Sequence, residues 1–235
     1  MLTRAKWPLF VLLLPASIII GGIFILPFFF LAVQSLWTYK SSFVSEPVFT
    51  LANYAKLFSD NYYLGVYLRT VKLSLISTAI TLLLAYPLAR FISRLGTGIK
   101  GFLLSLVALP MIGGAMIQTM GWMAMMMRYG MLNGILMSLG IAKEPVAFLG
   151  TELGIIIGLV QSFIPLMVLP LVTSLGAIDV SLEDAAKSLG ANSFKIFVEI
   201  VFPLSLPGAI SGTILTLMMN LTMFVTPSIL GQNKI

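Results

Sequence analysis

An all-α, polytopic membrane protein is the fold class that this 235-residue sequence predicts, on three observations. Hydrophobic residues make up 59% of it and charged residues 9%, with a mean hydropathy of +1.05; soluble domains run nearer 45–50% apolar and about 25% charged. The charges are unevenly spread: Trp7 to Val33 and Phe102 to Met127 carry none, and each run exceeds the roughly 20 apolar residues that cross a bilayer. Finally, the runs are continuous rather than alternating. Backbone groups in hydrocarbon are satisfied only by helices or a closed barrel, and barrel strands alternate, so the spans are helices.

Five spans are expected, near residues 9–36, 66–92, 101–127, 150–175 and 197–225. The connections, 37–65, 93–100, 128–149 and 176–196, are too short to fold independently, so residues 1–235 read as a single transmembrane domain. Arg4 and Lys6 before the first apolar run look like the start of a signal peptide. That run is about twice the usual 7 to 15 residue signal core and ends without a small-residue cleavage pattern, so it reads as a retained span.

Lys and Arg divide evenly, seven to each side, so their placement decides orientation. Arg4 and Lys6 precede the first span, and Arg90, Arg94 and Lys100 crowd the connection after the second with no acid among them. Such basic ends stay in the cytoplasm. The N-terminus and 176–196 are then cytoplasmic, while 37–65, 128–149 and Ile235 face outward. An odd span count makes an abrupt stop for half a transporter, and a sixth span is expected beyond it.

Prolines and glycines interrupt three spans: Pro110 with Gly113 and Gly114; Pro165 and Pro170; Pro203 and Pro207 with Gly208 and Gly212. Small residues let helices pack closely, and broken spans also bend around translocation paths; both readings stand.

Several function classes fall away. The chain has no Cys, which excludes disulfides and thiolate metal sites, and no His, the commonest general base and metal ligand. Catalysis by this chain is not expected, nor a bound metal. The formal charge of +6 comes without a basic run or basic-aromatic patch, so no nucleic acid is expected. No Gly-Lys-Ser/Thr phosphate loop occurs, so ATP is not bound here by that cradle.

The polar segment Asp179 to Gly190 is the one long helix-capable stretch on the cytoplasmic side. Ser181 and Asp184 have the spacing of a capping box, and Gly190 sits where a left-handed stop is expected, so the pattern predicts a helix over 182–189. A second helix is expected from Asn192 or Ser193 into the fifth span. Leu182, Ala185, Ala186 and Leu189 fall at helical spacing, a small face suited to a groove on a partner, with Glu183, Asp184 and Lys187 elsewhere. An interfacial helix is the alternative, but the segment lacks aromatic anchors and its acids outnumber its bases.

This loop resembles the signature of permease subunits from binding-protein-dependent, type I ABC importers. That signature reads glutamate-alanine-alanine, three residues, glycine, nine residues, isoleucine, one residue, leucine-proline. Here it falls on Asp184, Ala185, Ala186, Gly190, Ile200 and Pro203, with Asp184 in place of glutamate and Phe202 in place of leucine. The resemblance implies a coupling helix that docks in an ATPase cleft, a role carried to Glu183, Asp184, Ala185, Ala186 and Gly190. Phe49 to Tyr54, Tyr86 to Ala89, Gly130 to Asn133 and Phe224 to Pro227 are similar to the polyamine, spermidine/putrescine-type branch, and the likeness covers about residues 49 to 230.

Membership implies a multi-pass permease in a bacterial inner membrane. It imports a small solute such as a polyamine, with a second homologous permease, two ATPase subunits holding ATP and Mg, an external solute-binding protein and membrane lipid as partners. No cofactor is expected on this chain. Gln118, Trp122, Gln161 and Asn220 are candidates for the translocation path, with interhelical hydrogen bonding as the alternative for each. The methionines from Met120 to Met127 read as adaptable packing. The spans offer almost no acid to hold an organic cation, with Glu152 and Glu199 at their edges. A permease for another small solute, an ion-gradient-driven secondary transporter and a membrane scaffold are the competing functions.

Overall fold

The computed structural model describes residues 6–41 and 44–232; Arg4 and Ile235, used for orientation, lie outside the described residues. Its contacts fall into two units, Met1–Tyr67 and Leu68–Ile235.

The first unit opens with α1 (Lys6–Ser35), continuous through Pro15 and Pro27. From Leu13 to Leu31 its large side chains are exposed, as a helix facing lipid requires. A two-stranded antiparallel ribbon follows, β1 (Trp37–Ser41) and β2 (Val44–Phe49), then α2 (Ala52–Ser59). The ribbon is a small addition to a fold that is otherwise helical as expected, with Trp37 opposite Phe49 in its register. Asn53 ties it down, its Nδ2 donating to the carbonyls of Ser35 at 2.9 Å and Trp37 at 2.8 Å.

α3 (Asn61–Ser93) begins in this unit and continues into the second. There it is followed by α4 (Thr97–Ile112), α5 (Gly114–Met126), α6 (Met131–Ser138) and α7 (Glu152–Gly176). Next come α8 (Val180–Ser188), α9 (Ser193–Ile196), a π-helical turn (Phe197–Val201), α10 (Phe202–Thr222) and α11 (Val225–Leu230).

Among the described residues four helices are long and apolar enough to span: Leu13–Ser35, Asn61–Ser93, Glu152–Gly176 and Ser193–Thr222. The third expected span is broken. α4 and the stretch from Gly114 bend by 94° at Gly113–Gly114, and only if that pair counts as one span are there five. Gly114 carries φ +72°, a conformation that costs a side-chain-bearing residue roughly 1–2 kcal/mol, so the bend sits where glycine permits it.

The core of this unit is the seam between α7 and α10. Ala85, Ala89 and Ile92 of α3 join Met167, Leu171 and Leu175 of α7 and Ala209 of α10 in one buried cluster. A second cluster gathers Leu73, Met126, Phe148, Ile155, Leu159, Phe163 and Leu230. The seam is close because it is lined by glycine. A Cβ on Gly208 would lie 2.4 Å from Ser174 Cβ and 2.6 Å from the Pro170 carbonyl, and one on Gly212 would lie 2.9 Å from Met167 Sδ and 3.2 Å from the Met167 carbonyl. At these positions the glycines serve packing.

The π-helical turn before α10 has a chemical cause. Pro203 has no N–H to give to the carbonyl of Glu199, and the preceding turn widens to i→i+5 bonding. Ile200, half-buried against the first cluster, and Pro203 are thus structural parts of the loop pattern.

Candidate functional site

The loop between α7 and α10 folds around α8. The helix runs one to two residues ahead of expectation, Val180–Ser188, because its cap is Asp179 rather than Ser181. Asp179 Oδ1 accepts from the Ser181 amide at 2.9 Å, which orients the carboxylate at the positive end of the helix. That bond holds the Asp179 carboxyl below the usual aspartate range.

At the other end Ala191 donates to the Ala186 carbonyl at 3.0 Å and Gly190 to that of Lys187 at 2.9 Å, the paired bonds of a Schellman stop. Gly190 has φ +82°, the left-handed conformation anticipated from the sequence. Asn192 then caps α9, its Oδ1 accepting from the Lys195 amide at 2.8 Å.

The faces of α8 differ in one respect from the helical-wheel expectation. Leu182, Ala185 and Leu189 are exposed, Leu189 at 88%, but Ala186 is half-buried against the core. Glu183, three residues earlier, turns inward with it and is buried. Asp184 stays exposed, paired with Lys187 Nζ at 3.0 Å. Exposed pairs of this kind contribute about 0–1 kcal/mol, so Asp184 is free to exchange partners.

Glu183 is held from α3. Arg90 Nη2 donates to Glu183 Oε2 at 2.5 Å, Arg94 Nη2 donates to Oε1, and Arg94 Nη1 reaches the Ile178 carbonyl at 3.4 Å. Sequence reasoning used Arg90 and Arg94 only for orientation. Their i, i+4 spacing was the available signal that they share a face.

The four path candidates do not form one group. Gln118 Nε2 of α5 donates to Gln161 Oε1 of α7 at 2.9 Å, and Gln161 Nε2 donates to Ser162 Oγ at 2.9 Å. Trp122, one turn beyond Gln118, packs on the second apolar cluster. Asn220 instead donates through Nδ2 to Thr78 Oγ1 of α3 at 2.9 Å and is buried, its Oδ1 lacking a partner among the described residues. Thr78 belongs to a buried hydroxyl face, Ser74, Ser77, Thr78 and Thr81, that the sequence reading did not single out although its spacing is helical.

Two of the stretches quoted for the polyamine-type likeness prove to be fasteners. Asn53 ties the ribbon to the end of α1. Asn133 is buried, accepting from the Val146 amide at 2.8 Å and donating to the carbonyls of Val146 at 3.0 Å and Met127 at 3.2 Å. Near the start of α7, Glu152 accepts from Lys72 at 2.8 Å and Arg69 at 3.3 Å.

A helical bundle with a capped polar helix slung between its last two long spans, and no internal nucleotide loop, is the arrangement of an ABC transporter permease. A solved bacterial ABC transporter involved in import of the acidic polysaccharide alginate has this fold. It matches with a TM-score of 0.64 over 93% of this chain and 74% of its own, at 19% identity. No family model matches the sequence. Among individual relatives, the spermidine/putrescine transport system permease protein PotB of Haemophilus influenzae is 34% identical over 98% of this chain and 76% of its own length. PotB of Escherichia coli K12 is 33% identical over 99% and 80%, and the inner membrane ABC transporter permease protein YdcU of the same organism is 29% identical over 95% and 75%. The chain belongs to the PotB family of ABC transporter permease proteins: it is a transport subunit and a multi-pass membrane protein.

Proposed function

We propose that this chain is the membrane-spanning subunit of an ATP-driven importer that carries polyamines or similar organic cations across a bacterial inner membrane. The observation that carries the mechanism is α8. It is capped at both ends by its own residues, pinned to the bundle on one side and free on the other, where Leu182, Asp184, Ala185 and Leu189 are exposed. Such a face fits a groove on a partner. The partner is an ATPase subunit, two of which bind ATP and Mg; this chain holds no cofactor. Gly190 ends the helix so that movement of the ATPase passes through α8 to α7 and α10.

A second homologous permease completes the path, an external binding protein delivers the solute, and lipid surrounds the spans. The N-terminus is cytoplasmic, which puts α8 on the ATPase side. The polyamine class rests on the likeness to the spermidine/putrescine permease proteins. Gln118, Gln161 and Asn220 supply neutral polar groups along the route, and the Trp122 face attracts an ammonium group by roughly 0.5–2 kcal/mol.

The test is reconstitution with the ATPase, the second permease and the binding protein in proteoliposomes. Labelled spermidine enters only with ATP, and Gly190→Pro loses uptake while ATP is still hydrolysed. Uptake by this chain alone under an ion gradient overturns the reading, as does full coupled transport by Gly190→Pro.

A further inference from the structure

Along the chain α8 is joined to α7 before it and, through α9, to α10 after it. The structure adds a third connection. Arg90 and Arg94 stand one turn apart at the end of α3, and each gives a guanidinium N–H to a different oxygen of Glu183. Arg94 also reaches the Ile178 carbonyl, on the linker by which α7 enters α8, at 3.4 Å. The Glu183 side chain is 11% exposed and the arginines 28% and 26%, so water competes little for these bonds. Charge-assisted bonds in such surroundings are among the strong ones, and removing one partner leaves the others charged and half-buried.

A carboxylate turned inward, 11% exposed and bonded on both oxygens by arginines of the same chain, has little surface left to offer a partner protein. Its neighbour Asp184, exposed and paired only with Lys187, remains available. The two adjacent acids therefore face opposite ways.

We propose that Glu183 is a positioning residue that fastens the coupling helix to the end of α3, so that α3 is driven together with α7 and α10 when α8 moves. This rests on the reading of α8 as the coupling element. Its consequence lies along α3, which carries the hydroxyl face and the Thr78 bond to Asn220 of α10. Without the clamp, α8 moves while α3 lags, and part of each ATP-driven stroke is lost as relative motion.

The assembled transporter with its ATPase, second permease and binding protein tests this by the amount of solute moved per ATP hydrolysed. Glu183→Gln keeps the shape but not the charge, and lowers that ratio several-fold. A second variant separates position from charge. The chain has no native cysteine, so Arg94→Cys with Glu183→Cys can be joined by a bifunctional thiol reagent. Uncrosslinked, the pair is uncoupled like Glu183→Gln; crosslinked, the same molecules regain the ratio. If Glu183→Gln does not assemble, the cysteine pair decides, because both states are one folded protein. An unchanged ratio in Glu183→Gln, or a crosslink that restores nothing, overturns the clamp. Gly190→Pro in parallel keeps the two readings apart: if it uncouples and Glu183→Gln does not, only the clamp fails. If neither uncouples, the coupling role of α8 fails and takes the clamp with it.

Discussion

Gly208→Ala probes the α7–α10 seam on which the rest of the bundle leans. The added methyl would sit 2.4 Å from Ser174 Cβ and 2.6 Å from the Pro170 carbonyl oxygen, about 1 Å short of the 3.4 Å at which ordinary contact begins. Neither neighbour is the tip of a flexible side chain, so the helices have to separate. Val168, Leu171 and Leu175 of α7, fully buried in the same cluster, have no exposure to spare. Overpacking of this sort costs about 1–3 kcal/mol. For a chain of this size each kcal/mol moves the melting temperature by about 2–4 °C, so a fall of roughly 2–12 °C is expected. Gly134→Ala in α6 is the control, since nothing lies within 4 Å of the added methyl. Thermal unfolding in detergent, followed by tryptophan fluorescence, reads both. A Gly208→Ala protein that melts with the wild type, or that falls no further than Gly134→Ala, would refute the close-packed seam.

Two further outcomes are expected elsewhere. Asn133→Ala strips the Val146 amide and two carbonyls of their partner at a buried site, at a cost of about 1–3 kcal/mol. Amide exchange should quicken between Met127 and Val146 and not in α7; uniform exchange refutes a local fastener. The Asp179 cap is pH-dependent in a defined direction. Its carboxyl is held below the ordinary value by the Ser181 amide, so the support it gives α8 is complete above about pH 3.9 and is lost as pH falls through the lower, folded-state value. Asp179→Asn keeps an acceptor without that titration, so acid should lower the protection of α8 amides, measured relative to the intrinsic exchange rate at each pH, more in the wild type than in the variant; an equal loss sinks the assignment.

The spans were legible because hydrocarbon leaves the backbone few choices. Apolar runs near 66–92 and 150–175 predicted helices within a few residues of α3 and α7. The third run was legible in composition but not in shape. Pro110, Gly113 and Gly114 marked where a break was possible, and whether the chain bends there is decided by what packs on either side. The cap of α8 was expected at Ser181 on its capping-box spacing to Asp184, and the bond from the Ser181 amide to Asp179 Oδ1 moves it two residues earlier. The Glu183 clamp was out of reach altogether, since its arginines lie 93 and 89 residues away. What the sequence offered was a pair of bases and an acid on the same side of the membrane, which is a condition for pairing and not a prediction of it.

The placement of those few acids bears on how an organic cation could pass. The chain has eight Asp and Glu, and α3 engages two of them at opposite ends: Arg69 and Lys72 hold Glu152, and Arg90 and Arg94 hold Glu183. Both carboxylates are already neutralised by two bases each, so neither is a trap for a passing ammonium group. Between these ends the polar side chains buried or half-buried along the spans include the hydroxyls and amides of Thr78, Thr81, Gln118, Gln161 and Asn220, and Glu199 stays exposed near the start of the last one. An unpaired carboxylate in surroundings of low dielectric would hold a cation by many kcal/mol, whereas transit requires sites weak enough to leave. On the polyamine reading, a path whose acids are confined to its ends is therefore the arrangement that lets a tightly held solute go. Discrimination among solutes then falls to the binding protein, where tight capture does not slow the exit into the cell.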